Sequence, residues 1–363
     1  MQSFPLTVRR SIELIGLVVL GMVIVYGQQI IMPLLMAFFT SIVLLPVYRF
    51  LIRIKFPSVL AIFLALLLMV IIIAAIMFFI MMQTRPVVND FATIKQNIIK
   101  HINELSLWFS EQTNISAEQQ SKFVNEQSRK ILDSAGRYIG GAAGSVGSVI
   151  VFFGLLPIYT FLMLLYKDIL KQFVYLWFPL QEHAKIKDVL KETESIIKSY
   201  IVGLLIQITY ITVLLGGGLL IMGIPYALLI GIIFAILNLI PYIGALFGNI
   251  LGVLLTLSSS PDLSDVITVL VTIAVVQFLD NNILMPRIVG GKVRVNALAS
   301  LAGVFVGGAL AGISGMFLSL PLLAVTKVIF DRTEQFKQWG VLFGDQLPQK
   351  KNLLKRKPKP GIR

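Results

Sequence analysis

The sequence predicts an all-α fold: a polytopic integral membrane protein with about six full spans, two re-entrant helical hairpins and a small helical extracytoplasmic insert. Eight simple spans form the alternative arrangement. Three observations lead there. Of 363 residues, 57% are hydrophobic and 13% charged, with mean hydropathy +0.88, whereas an average soluble domain is about 25% charged. Apolar runs of spanning length alternate along the chain with short polar segments. The 31 Lys and Arg, against 18 Asp and Glu, gather between and after those runs. Topology determinants sit in such places, so the net charge of +13 is not read as a nucleic-acid surface.

Residues 1–82 hold the first membrane spans. Arg9 and Arg10 precede an apolar run from Ile12 to Tyr26 that lacks a small-x-small cleavage site, so it reads as a retained span with a cytoplasmic N-terminus. Ile30–Val47 reads as a second span, with Pro33 and Pro46 inside it. Arg49, Arg53 and Lys55 then mark the cytoplasmic side, and Ser58–Met82, free of charge, is a third span. Residues 83–138 change character. Seven Lys/Arg and six Asp/Glu fall within Gln83–Arg137, apolar residues recur at helical spacing, and Ser116–Gln119 resembles a capping box. This is the helical insert, an element for packing or oligomer contacts.

Residues 139–166 form the fourth span, opening on GGAAGSVGS, whose small residues let helices approach closely. Residues 167–199 are polar again, with Phe173, Tyr175, Trp177 and Phe178 suiting an interfacial helix on the cytoplasmic leaflet. A helix beginning near Gln181 runs on into the fifth span, Tyr200–Met222, in which Gly216–Gly218 is either a joint or a close-packing point. Residues 200–330 make up the membrane core, and 331–363 a basic cytoplasmic tail. Its last stretch, Lys350–Arg363, carries seven Lys/Arg and no acid, a stop-transfer flank that also attracts anionic lipid.

Two segments in the core are too long for single spans. Tyr226–Leu257 and Ala297–Val325 would each reach about 45 Å as one helix, against a hydrocarbon core of about 30 Å. As single spans they would place Arg287, Lys292 and Arg294 outside, against the positive-inside bias. As hairpins with tips near Pro241–Gly244 and Gly307–Gly315, they put the Lys/Arg-free stretch Ser258–Asp265 outside and the basic segments inside. A cysteine at Ser260 is then expected to be labelled from outside and one at Lys292 from inside.

The chemistry concentrates between Gly223 and Asn296. Phe278–Gly291 (FLDNNILMPRIVGG) brings Asp280, Asn281 and Asn282 into an apolar segment, after Gln277 and before Pro286 and Arg287. An ionisable group there costs about 2.5–3.5 kcal/mol on insertion scales, so it faces a cavity or a partner. Gln277, Asp280 and Asn281 lie at i, i+3, i+4 and are expected to share a polar face. Pro241 breaks the first hairpin, with Asn238 and Tyr242 beside it and Asn249 on the return arm. Broken helices at membrane depth line cavities or are buried in protein. Asp280 has two open readings: it couples an ion or proton to transport, or it balances Arg287 and fixes the fold.

The motifs Gly223–Ala227 (GIPYA), Asn238–Gly244 (NLIPYIG) and Asp280–Gly290 (DNNILMPRIVG) resemble those of the autoinducer-2 exporter family, the PerM-like permeases. The likeness runs from the double Arg to Pro321. It implies a bacterial inner-membrane permease exporting a small polar solute, autoinducer-2 in the members that name the family. On this reading the substrate or ion site draws on Asn238, Pro241, Tyr242, Gly244, Gln277, Asp280, Asn281 and Asn282. Structural and gating roles fall to Pro225, Pro286, Arg287, Gly290, Gly307, Gly308 and Pro321. Expected partners are membrane lipid, the small polar solute, a coupling proton or sodium ion, and further copies of the chain, with no nucleic acid.

Neither a cofactor nor a metal is expected. The chain has no Cys, which excludes thiol chemistry and thiolate metal sites. His101 and His183 lie far apart in polar segments, where clustered ligands are needed for a metal. No Lys-Ser/Thr phosphate loop is present, so nothing points to nucleotide hydrolysis. No Ser/His/Asp set lies at one membrane depth, so enzymatic activity is not expected. Two other classes stay open: a cation/proton antiporter using Asp280, and a non-transporting scaffold or channel.

Overall fold

The computed structural model describes residues 5–89, 96, 97, 100, 146–260, 262–288 and 295–345. Every described element is helical. Five helical stretches are long and apolar enough to cross a membrane: Ser11–Arg53, Ser58–Thr84, Leu180–Ile221, Leu263–Arg287 and Ala297–Arg332. Shorter apolar helices accompany them. The protein is a multi-pass membrane protein. Most of the insert, residues 140–145 (GGAAGS), Gly290, Lys292, Arg294 and the tail beyond Asp345 lie outside the described residues.

The chain opens with α1 (Leu6–Arg53), a single helix of 48 residues with Pro33 and Pro46 inside it. Two spans were expected here, and the structure has one uninterrupted helix instead. Gly27–Gln28–Gln29 holds too little turn chemistry to break it: no residue there has positive φ, and glutamine is a good helix former. At 1.5 Å per residue α1 is about 72 Å of helix. Residues 31–48 are largely buried and residues 11–20 are exposed on all sides. Next come α2 (Ser58–Asn89) and α3 (Val146–Leu165), which pack on the second half of α1 around Leu44, Leu45, Ile62 and Leu164. The short α4 (Lys167–Leu176) follows α3 directly.

α5 (His183–Ile211) continues through a π-helical turn, Thr212–Gly216, into α6 (Gly217–Ile221). A Schellman motif ends α6. Ile224 N–H reaches Leu219 O at 3.0 Å and Gly223 N–H reaches Leu220 O at 3.1 Å, with Gly223 at φ +76°, a conformation that side chains resist. Pro225 follows, since the helix has already stopped. The reversed chain forms α7 (Ala227–Leu237), breaks at 238–242, and returns as α8 (Ile243–Ser259). Gly244 abuts Leu237 O, Gly248 abuts the Phe234 ring and Gly252 lies against Ile230, so the arms run antiparallel.

This hairpin rests on the π turn. A methyl on Gly231 would lie 2.6 Å from Gly216 Cα. Gly216 is therefore a close-packing point, while Gly217 faces open space. In lipid, helices gain little from burying apolar surface against one another, so such close contacts and polar links hold the bundle.

After α9 (Leu263–Leu279) a second π turn, Asp280–Leu284, leads into α10 (Met285–Ile288). α11 (Ala297–Arg332) is kinked at Ala311 and Gly312, where φ/ψ leave the helical region and Gly312 takes φ +58°. Gly307 meets Gly315 backbone to backbone, Gly308 faces Met316 and Gly303 faces Leu323. The long apolar segment is thus a second hairpin, with Pro321 buried in its returning arm. Asn296 ties its base to α12 (Lys337–Phe343): its side chain caps Ala299 N–H at 2.8 Å and donates to Leu342 O and Gly344 O at 2.6 and 2.9 Å.

The two hairpins enter from opposite ends. α5 and α9 are antiparallel, because Gln207 meets Asp280 while Met222 meets Thr272. One end therefore carries Ser258–Asp262, with Asn97 of the insert donating to Ser258 O at 3.0 Å. The other carries Glu192 paired with Arg332, and Glu194 paired with Arg49 at 3.2 Å. α7, at 11 residues, is about 16 Å long, roughly half a hydrocarbon core.

Candidate functional site

Asp280 is the one buried acid among the described residues, 3% exposed. Three donors from two other elements converge on it. Gln207 Nε2 donates to Oδ2 at 2.8 Å and Asn238 Nδ2 donates to the same oxygen at 3.1 Å. The Tyr210 hydroxyl donates to Oδ1. Gln207 and Tyr210 are one turn apart on α5, Asn238 closes α7 at the hairpin break, and Asp280 opens the π turn. An ionised carboxylate accepts only, and three donors suit it. The orientation of Gln207 follows, since its carbonyl facing Asp280 would set acceptor against acceptor.

The cluster lies deep in the helical body. Seventeen residues of α9 precede Asp280, about 25 Å of helix, and Gln207 follows Glu192 by fifteen positions, about 22 Å. The cluster lies about midway between the two ends. Three buried side-chain oxygens on α5 and its π turn have no partner among the described residues: Tyr200 Oη, Gln207 Oε1 and Thr212 Oγ1; of these, Gln207 Oε1 belongs to a side chain that bonds Asp280. Buried unpartnered acceptors are uncommon in native proteins and often mark where a ligand, ion or water binds. The Asp280 carboxylate and Gln207 Oε1 are hard oxygen ligands, suited to a proton, sodium or a hydroxyl-bearing solute.

The hairpin break beside Asn238 is strained and tightly packed. Tyr242 holds φ +66° at the start of α8, a strained value for a non-glycine residue. Gly244 is buried against Leu237 and Asn238, Pro241 is half-buried and the Tyr242 ring is exposed.

Other sequence candidates are not drawn in. Asn281 and Asn282 are exposed, and Asn282 donates to Phe278 O at 2.9 Å. Gln277, half-buried, makes no hydrogen bond with Asp280 among the described contacts, so the expected shared face does not form. Successive helical residues point about 100° apart, so with Asp280 turned into the bundle Asn281 and Asn282 face outward. Arg287 is exposed and forms no described ion pair with Asp280, which is matched by neutral donors instead; Pro286 is exposed beside it. Asn249 bonds Ala245 O within its own helix at 2.8 Å. Sequence reasoning missed Gln207 and Tyr210. Two polar groups three residues apart inside the apolar run Tyr200–Met222 were the available signal.

A family model described as "AI-2E family transporter" matches residues 14–335. The chain is 30% identical over 194 residues to "Putative transport protein YrrI" of Bacillus subtilis (strain 168), covering 53% of this chain and 54% of that one. The likewise titled YueF of the same organism is 32% identical over 142 residues, 39% of this chain and 38% of its own. MT0215 of Mycobacterium tuberculosis, with the same title, is 25% identical over 327 residues, 88% and 86%. The matches thus span about half or less of the two Bacillus relatives and most of the mycobacterial one. Reaching across both hairpins and the Asp280 cluster, the model match shows that the chain belongs to the AI-2E family of transporters.

Proposed function

We propose that the protein is a secondary permease that exports a small polar solute across a bacterial cytoplasmic membrane, with Asp280, Gln207, Tyr210 and Asn238 at its substrate or coupling-ion site. The observation that carries this reading is a buried carboxylate midway through an apolar helical body, held by neutral donors at the tip of a broken hairpin. Transporters of several folds use discontinuous helices at that depth, where half-helix ends and freed carbonyls replace water around the cargo. Autoinducer-2 is the solute to test first, because the motifs resemble those of the autoinducer-2 exporters and the family model that matches is that of the AI-2E transporters. The C-terminal segment is assigned to the cytoplasm, on the side of the basic segments.

A second reading is a cation/proton antiporter. Gln207 Oε1 favours it, as an unpartnered buried acceptor beside a carboxylate forms part of a shell for a hard cation. Proteoliposome flux separates the two. Export of a polar organic solute supports the first, and sodium-driven proton movement without solute supports the second. Absence of both contradicts the transport reading.

A further inference from the structure

A cavity of about 390 Å³ lies between the second half of α1, the α3–α4 junction and the start of α5. Its rim holds Lys171, Lys187 and Lys191, and its floor Ile42, Leu45 and Leu164. The three rim lysines are exposed, and none has an ion-pair partner among the described residues. The other charges there are already matched. Lys167 pairs with Asp168 at 3.3 Å and sits over the Tyr48 ring at 4.8 Å, and Glu194 pairs with Arg49 at 3.2 Å. The groove therefore has a cationic mouth above an apolar base.

Its depth follows from α4. Ile169, Phe173, Leu176 and Trp177 are exposed and form an outward apolar stripe, whereas Lys171 and Val174 turn toward the cavity. An amphipathic helix ending in Trp lies at the membrane–water boundary. That puts the lysines at headgroup level and Ile42, Leu45 and Leu164 at the level of the acyl chains.

We propose that this groove binds an anionic phospholipid, the phosphodiester held by Lys171, Lys187 and Lys191 and an acyl chain lying on the apolar floor. A soluble phosphate would use the mouth and leave the floor unfilled, and basic pockets between helices at this level suit acidic headgroups. Bound there, the lipid would clamp α4 to α1 and α5, the helix that carries Gln207 and Tyr210.

The test uses full-length protein in mild detergent, supplied with equal amounts of phosphatidylglycerol and phosphatidylcholine, with retained lipid read by native mass spectrometry. Wild type should retain phosphatidylglycerol preferentially. K171Q/K187Q/K191Q should lose that preference by on the order of tenfold, with an unchanged unfolding midpoint. K171R/K187R/K191R and the tail variant K350Q/K351Q/K355Q should both keep it. Millimolar inorganic phosphate should not displace the lipid. A glutamine variant with wild-type preference, an equal loss in the tail variant, or displacement by phosphate alone would overturn the proposal.

Discussion

Gln207 donates through Nε2 to Asp280 Oδ2 at 2.8 Å, while its own Oε1 is buried without a partner among the described residues. One amide thus stabilises the carboxylate and offers an acceptor to whatever binds beside it. Gln207→Leu removes both functions and leaves Asp280 short of a donor. A hydrogen bond to a charged group contributes about 1.5–3 kcal/mol, so coupled flux should fall about ten- to hundredfold. Gln207→Glu, isosteric but acidic, should fall further, because two carboxylates would then face each other. Flux in proteoliposomes at matched protein density checks both.

Arg287 is exposed and forms no described ion pair with Asp280. Arg287→Gln should therefore leave expression, unfolding temperature and flux within about twofold of wild type, as surface substitutions usually change stability by no more than about 0.5 kcal/mol. It should not rescue an Asp280 variant. Recovery of Asp280→Asn by Arg287→Gln in the same chain would show that the two residues form a pair.

Much of the fold was legible in the sequence, and the site only in part. Length against bilayer thickness, together with the placement of Lys and Arg, located both hairpins, because those constraints act on segments. Asp280 and Asn238 stood out as polar residues in apolar stretches. Gln207 and Tyr210 did not, because their importance arises only where the π turn at 212–216 packs on α7 through the Gly216–Gly231 contact and α5 meets Asp280 and Asn238. Nor does a helical i, i+3, i+4 count say which of its residues turns inward: Asp280 is buried while Asn281 and Asn282 are exposed. The uninterrupted α1 was hidden for the opposite reason: two apolar runs separated by Gly-Gln-Gln look like two spans until the intervening turn proves helical.

Glycine contacts hold the first hairpin, and they divide sharply. A methyl on Gly231 would lie 2.6 Å from Gly216 Cα, whereas Gly217 has nothing within 4 Å. Gly231→Ala should destabilise by about 1–3 kcal/mol through overpacking and lower flux with it. Gly217→Ala should be neutral or stabilising by up to about 1 kcal/mol. Thermal unfolding in detergent reads the difference; equal effects would mean that the π turn and the hairpin are not packed together.

The two hairpins give the protein opposite ends that chemical labelling can read. Ser260 itself is a poor probe, since it is 3% exposed and bonds Asp265, so the accessible Ser264 replaces it. In this cysteine-free chain, Ser264→Cys should react with an impermeant maleimide from outside and Asp345→Cys only from inside. Labelling of both from one face would contradict the opposed hairpins.

The most direct test is Asp280→Asn, reconstituted beside wild type and assayed for solute export and for proton or sodium movement. The asparagine keeps the shape but turns an amide donor toward the donors of Gln207, Tyr210 or Asn238, a clash of about 1–3 kcal/mol. The variant should assemble in the membrane at wild-type levels and lose coupled flux at least about tenfold. A well-assembled Asp280→Asn protein that transports as fast as wild type, with the same ion dependence, would contradict the account.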